Sequence, residues 1–214
     1  MRRIAFGIIA LALIGACSPR DQFWKKPDIG DKITTVEEAL KQPDTLRNLD
    51  LFNRGLPAFP TEILGLKNLE RLSLRRNTVV TVPDTLASLT RLKWLDLGES
   101  GLTQLTPALG TLPNLSALYV NDNALTELPG SLGDLPRLQY LNADRNALTA
   151  IPASIGKAGS LKWLRLNDNQ IAALPGDLSG LTQNLKRLYL RGNPLPDSEK
   201  VRIKQALPNC QVFF

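Results

Sequence analysis

Leucine recurs along this chain at a fixed interval. Leu46, Leu69, Leu92, Leu115, Leu138 and Leu161 stand 23 residues apart, each opening a copy of the frame Leu-x-x-Leu-x-Leu-x-x-Asn, with Val120 and Ala143 at its sixth position in two copies, and Leu185 opens it once more after one inserted residue. Apolar residues at frame positions one, four and six alternate with polar or aromatic ones at three, five and seven. That alternation predicts a short strand with one buried face. The remainder of each unit carries a second apolar set, in the second copy Val79, Val82, Leu86 and Leu89, with proline recurring at one site as Pro83, Pro129, Pro152 and Pro175. Proline cannot donate to a central ladder, so this site belongs to a return segment outside the sheet. A unit of this size cannot bury its apolar side alone, so stacked copies must share one core.

The ninth frame position holds Asn77, Asn123, Asn146, Asn169 and Asn193. A carboxamide offers donor and acceptor together, which suits a buried turn whose backbone neither sheet nor water reaches. The expected role is structural. Arg54 occupies this position in the first copy and Ser100 in the third, where Thr106 also replaces the usual proline. A locally looser turn is expected at Ser100-Gly101.

Thr35 to Gln42 reads as a short helix, since Thr35 and Glu38 form a capping box and Val36, Ala39 and Leu40 share a face. Ser198 to Ala206 reads as a capped amphipathic helix, and Leu207-x-x-Cys210-x-Val212 as a last strand frame. Phe213 and Phe214 are expected to cover the final core cross-section, with Cys210 a small buried hydrophobe. The expected organisation is an export signal over 1–16, a tether over 17–34, an N-terminal cap over 35–45, seven repeats over 46–195 and a C-terminal cap over 196–214.

These motifs resemble the leucine-rich repeat family, specifically its 23-residue Leu-Pro class, over Thr35 to Phe214. The resemblance implies an α/β fold: a curved solenoid with a parallel sheet on its concave side, short helical or irregular convex returns and helical caps. It also implies a surface that usually recognises proteins and sometimes glycans or lipids. Fold alone does not choose among these.

Composition narrows the chemistry. The chain has no histidine, which removes the usual general base near neutral pH and the commonest metal ligand. No catalytic residue, cofactor or metal site is expected. Asp144 with Asp168, and Glu99 with Asp122, are carboxylate pairs on adjacent copies, but an open charged turn row lacks the water-excluding pocket that would raise a carboxyl pKa. Formal net charge is +6, too modest for a nucleic-acid footprint.

Arg2 and Arg3, the apolar run Ile4 to Ile14 and the small pair Gly15-Ala16 read as an export signal. The run reaches only about 17 Å as a helix, short of a ~30 Å hydrocarbon core. Ile14-Gly15-Ala16-Cys17 resembles the lipobox of bacterial lipoproteins, which implies lipidation of Cys17, and Ser18 after it implies outer-membrane sorting. The alternative is ordinary cleavage that leaves Cys17 as a thiol. Phe23 and Trp24 beside Lys25 and Lys26 fit either a lipid headgroup layer or the edge of the first repeat.

Binding chemistry is sought at the outward frame positions. All three tyrosines and two of the three tryptophans fall there, so Trp94, Tyr119, Tyr140, Trp163 and Tyr189 occupy five successive repeats. At about 4.8 Å between strands they predict an exposed aromatic ribbon, flanked by Arg71, Arg75, Arg165, Arg187 and Arg191. Such residues dominate protein-binding hot spots, and a peptide or protein partner is expected to bury the rings and pair its acids with the arginines. A glycan is the alternative partner, stacking on Trp94, Tyr140 and Trp163 with Asn121, Asn142, Asp144 and Asn167 taking its hydroxyls.

Overall fold

The computed structural model describes residues 33–214. The export signal, Cys17 and the tether up to residue 32 lie outside them. Residues 33–214 belong to one compact unit.

Each repeat contributes a three-residue strand centred on frame position four. These are β1 (Asn48–Asp50), β2 (Arg71–Ser73), β3 (Trp94–Asp96), β4 (Ala117–Tyr119), β5 (Tyr140–Asn142), β6 (Trp163–Arg165) and β7 (Arg187–Tyr189), with β8 (Gln211–Phe213) after the last repeat. They pair in sequence order as one parallel sheet. The register keeps frame positions in line, for example Leu72 with Leu95 and Leu95 with Leu118. Equivalent residues therefore stack in rows, and the leucines at positions one, four and six, with Val120 and Ala143 at position six of two repeats, form a continuous buried core.

The returns are single turns of 3-10 helix. Pro60, Pro83, Pro129 and Pro152 each precede one, and Thr106 does so in the third repeat, where its hydroxyl accepts from the Ala108 N–H at 3.0 Å. After Pro175 the inserted residue shifts the turn to Ser179–Leu181 and shortens it.

The ninth-position asparagines bridge successive repeats. Asn77 donates to the Leu51 and Leu74 carbonyls at 2.8 and 2.7 Å, and its oxygen accepts from the Arg54 and Leu56 N–H groups, both at 3.0 Å. In the same way Asn123, Asn146, Asn169 and Asn193 accept from Leu102, Leu125, Leu148 and Ile171 at 3.0 to 3.1 Å. The turn at Ser100 keeps the shape of the others, contrary to the looser turn expected. Ser100 is buried, and its hydroxyl is shared between the Leu74 and Gly98 carbonyls at 3.3 and 3.1 Å. What serine lacks is the acceptor that elsewhere meets the backbone two residues past the preceding asparagine position, here the N–H of buried Val79.

The residue before each of these positions is left-handed. Asn53, Arg76, Glu99, Asp122, Arg145 and Asp168 have φ between 52° and 58°, and Gly192 has φ 71°. Nothing in the residue types except Gly192 announces this row.

Both ends depart from expectation in detail. Helix α1 (Val36–Leu40) has the Thr35 hydroxyl accepting from the Glu38 N–H at 3.2 Å. Ala39 is buried and Val36 packs against the core, whereas Leu40 faces solvent. Ile33, read as tether, instead bridges Leu49 and accepts from the Asp50 N–H at 3.1 Å, adding a partial rung before β1. At the other end, α2 (Asp197–Ala206) starts one residue early, at Asp197, behind Pro196 with no side-chain cap. The final strand is displaced by two residues, since Val212 and not Cys210 pairs with Leu188. Cys210 is consequently only half-buried, with its thiol pushed up to about 11 by that burial. Phe213 moves to the outward side of the sheet. Only Phe214 packs against the core.

Candidate binding face

Strand alternation sends positions three and five, with position seven beyond them, to the side of the sheet opposite the leucine core. Among the described residues no other element packs on that side. The aromatic residues line up on it, but not as the free ribbon that the sequence suggests. Trp94, Tyr119 and Tyr140 are only 6%, 9% and 7% exposed, while Trp163 and Tyr189 are half-buried.

The rings touch in series. Trp94 and Tyr119 have centroids 5.4 Å apart, Tyr119 and Tyr140 4.8 Å, and Tyr140 and Trp163 6.0 Å in an edge-on arrangement. Ala117 lies between Trp94 and Tyr140 in the register, and its small side chain leaves room for the zigzag from position three to five and back. Burial pushes the Tyr119 hydroxyl up to about 12, with the nearby Asp96 carboxylate adding to the effect. Tyr140 is raised for the same first reason, and then by Tyr119.

Arginine continues the run from Trp163. The Arg187 guanidinium stands 5.5 Å from the Trp163 ring, one register step away, and its Nη1 donates to the Tyr189 hydroxyl at 3.4 Å. Arg165, from β6, covers Tyr189 at 4.9 Å; Phe213, from β8 on the other side, stacks on the same ring at 4.6 Å with an angle of 6° between planes. Arg191 stands 5.8 Å from Phe213. Phe213 is thus a member of the face that the sequence frame assigned to the core end.

The other charges are mostly committed. Arg165 Nε donates to Asp144 Oδ2 at 2.7 Å, and Asp144 Oδ1 accepts from the Asn167 N–H at 2.7 Å. Burial pulls the Arg165 pKa down, but the Asp144 carboxylate outweighs it and the net shift is upward. Arg75 and Arg76 both bind Glu99, and Arg145 binds Asp122. Burial favours the protonated form of Glu99 and Asp122, yet these arginines prevail and hold both below the usual carboxylate range. That is the opposite of what a general acid requires. Arg71 is half-buried and makes no ion pair with any described residue.

A family model described as leucine rich repeat matches residues 90–148, and the sheet, the asparagine row and the frame extend that match from residue 46 to β8. The chain belongs to the leucine-rich repeat family. Among solved structures, this leucine-rich repeat chain is similar to a repeat protein of Leptospira interrogans, at 30% identity over 86% of this chain and 58% of that one, with a TM-score of 0.54. An internalin of Listeria monocytogenes shares the fold at 24% identity over 86% of this chain and 51% of that one, with a TM-score of 0.71. A plant peptide hormone receptor, solved in complex with RGF2, matches at 27% identity over 73% of this chain and 26% of its own, with a TM-score of 0.63. The chain therefore spans less than two thirds of the length of each of these three. No match was found among curated proteins. Leucine-rich repeat proteins generally act as binding modules, and the fold here is that of a protein-interaction module.

Proposed function

We propose that this chain is a non-enzymatic recognition module of a bacterial cell envelope, lipid-anchored at Cys17 in the outer membrane of a Gram-negative cell, which binds a protein or peptide along the outward face of its sheet. The observation that carries the reading is the unbroken series Trp94, Tyr119, Tyr140, Trp163, Arg187, Tyr189 and Phe213, in which each group contacts the next, across strands except for Arg187 and Tyr189, which share β7. Rings already held against one another lose little side-chain entropy when a partner covers them. One of the similar structures is a receptor for a peptide hormone, which supports a peptide partner for a fold of this kind. The acids of a partner would meet Arg187 and Arg191 beside the exposed end of the series, with Arg71 and Arg75 flanking the other end.

A peptide suits this face better than a glycan. Sugar stacking needs a bare ring face, whereas Arg187 stands over Trp163 and Tyr189 is flanked by Arg165 and Phe213. The non-enzymatic part rests on the carboxylates being tied to arginines as ions.

The test is a capture experiment from envelope extract with the full chain and with a Trp163→Ala, Arg191→Ala double variant. We expect a specific protein partner whose retention drops at least tenfold with the variant and weakens as salt rises; undiminished retention by the folded variant would reject the face. For the anchor, mass spectrometry should find an acylated Cys17 at the mature N-terminus. An intact signal or an unmodified Cys17 there would sink it.

A further inference from the structure

The sheet has two long edges, one where its strands start and one where they end, and their charges differ. Frame position two stands just before each strand, and the backbone lays its residues in line: the Lys93 N–H donates to the Glu70 carbonyl and the Lys186 N–H to the Lys162 carbonyl, both at 2.8 Å. The charged residues of this row are Arg47, Glu70, Lys93, Lys162 and Lys186, and the residue before position one adds Arg91 and Arg137. That is six cations against one carboxylate.

Glu70 is already shared, accepting from Arg47 at 2.9 Å and from Lys93 at 2.7 Å. No carboxylate among the described residues pairs with Arg91, Arg137, Lys162 or Lys186. All four are exposed. At the opposite edge, frame positions seven and eight hold Arg75, Arg76, Arg145 and Arg191 against Glu99, Asp122, Asp144 and Asp168, so the charges cancel. Glu99 and Asp122 are bound there by arginines.

The chain enters the sheet at the basic edge. Ile33 pairs with Leu49 in parallel, so the backbone at Ile33 runs with the strands and its N-terminal end faces the side where they start. Fifteen residues separate Cys17 from Ile33, and a flexible chain of that length spans roughly 20 Å. An anchor at Cys17 would therefore keep this edge within reach of the bilayer surface.

The kind of side chain points to the same surface. Neither row holds an aromatic or aliphatic residue, and lysine is depleted where proteins bind one another. A lysine is a hydrated point charge on a flexible stem, suited to a diffuse layer of phosphates more than to a shaped pocket. From Lys93 to Lys186 the row covers four strand steps, about 19 Å at 4.8 Å each, in one line.

We propose that the strand-start edge rests on an anionic phospholipid headgroup layer, with Arg91, Lys93, Arg137, Lys162 and Lys186 toward the phosphates and the strands rising from the bilayer. The proposal rests on the anchor reading above and adds an orientation to it. The outward face then stands beside the membrane and stays open to its partner.

The test adds the full chain, purified from membranes, to vesicles of phosphatidylcholine alone or of equal parts phosphatidylcholine and phosphatidylglycerol. Lysines are then acetylated with a reagent that does not cross the bilayer and read by mass spectrometry. On the anionic vesicles we expect Lys93, Lys162 and Lys186 to react about fivefold more slowly than on the neutral ones, with the difference lost at high salt. Lys200, on α2 beside Asp197, is the control and should change by less than about twofold. A triple variant, Arg91→Gln, Lys162→Gln and Lys186→Gln, uses the residue that Gln139 already places in the row; it should unfold at a temperature near that of the parent and lose the protection of Lys93. Equal acetylation on the two vesicle types, or undiminished protection of Lys93 in the folded variant, would overturn the proposal. So would protection that appears only with a captured protein bound, which would assign the row to that protein. An acylated Cys17 without lysine protection rejects the edge and keeps the anchor; protection with an unmodified Cys17 rejects the anchor and keeps the edge.

Discussion

The two ends of the outward face are built on one backbone frame and differ in chemistry. Over β2 to β4 the residues are Ser73, Asp96, Tyr119 and Asn121: acceptors and buried rings, with Gly98 cut away between them. Over β6 to β8 arginines cover the rings, and the buried Asp144 just past β5 is answered by Arg165. Inward positions cannot vary in this way, because each leucine must fill the same slot against the same neighbours. The stack thus fixes where an outward side chain stands and leaves its chemistry to be set repeat by repeat.

The sharpest way to break the comparison is at its charged end. The side chain of Asp144 is only 2% exposed, so Arg165→Ala would leave a buried carboxylate without its cation and should cost about 3–5 kcal/mol of stability, read by urea unfolding. Arg165→Lys keeps a charge without the planar fork and should recover part of the loss. A cost below ~1 kcal/mol would mean that water already serves Asp144, and that the two ends are less different than their contacts suggest.

Alkali tests the other end. The Tyr119 hydroxyl has its folded pKa raised from the ordinary value of 10 to about 12, so the neutral form is favoured by folding. Its contribution is fully present below about pH 10, where the unfolded chain also keeps the proton, and is lost as pH climbs to about 12, by up to roughly 2–3 kcal/mol. Tyr140, shifted in the same direction, adds to the slope. Unfolding midpoints measured from pH 9 to pH 12 should fall, and Tyr119→Phe should flatten the curve. An unchanged slope in that variant would show that the ring is not buried in solution.

Much of the scaffold is legible in the residues, because frame positions one, four, six and nine each admit few solutions. A buried row wants leucine, and a buried turn wants a carboxamide. What stayed hidden was set by contacts across strands. The ring burial at Trp94, Tyr119 and Tyr140 depends on how neighbours at positions three and five interlock, which a one-dimensional frame does not encode. The left-handed row escaped because Asn, Arg, Glu and Asp all fill it, and only Gly192 signals the conformation. A frame begun at Leu207 hides Phe213, because Leu207 instead closes α2 and packs in the core. A usable signal existed in the spacing. Leu164 to Leu188 and Leu188 to Val212 are the same step, and following it assigns Val212 to position four and Phe213 to the outward side.

A gain of stability checks the scaffold between the two ends. Ser100→Asn should restore the acceptor for the Val79 N–H, while its amide keeps the donation to the Leu74 carbonyl that the Ser100 hydroxyl already makes. One regained buried hydrogen bond contributes about 1 kcal/mol, or roughly 2–4 °C in Tm for a chain of this size. A drop would mean that the slot beside Gly98 has closed around serine and no longer admits the larger side chain.

The smallest stability effect belongs to Arg191, which is exposed and touches the face through Phe213 at 5.8 Å. Arg191→Ala removes one solvent-exposed cation–π contact, about 0.5 kcal/mol, so Tm should hardly move. Its effect on partner capture should be far larger, since a charge that does little for the fold is available to steer and hold an acidic ligand, with a salt dependence that the variant blunts. Arg71→Ala at the other end is the matched control. If the two ends play different parts, its loss should weaken capture less than the loss of Arg191. Equal losses would mean that the arginines attract the partner as a diffuse field and give it no direction along the sheet.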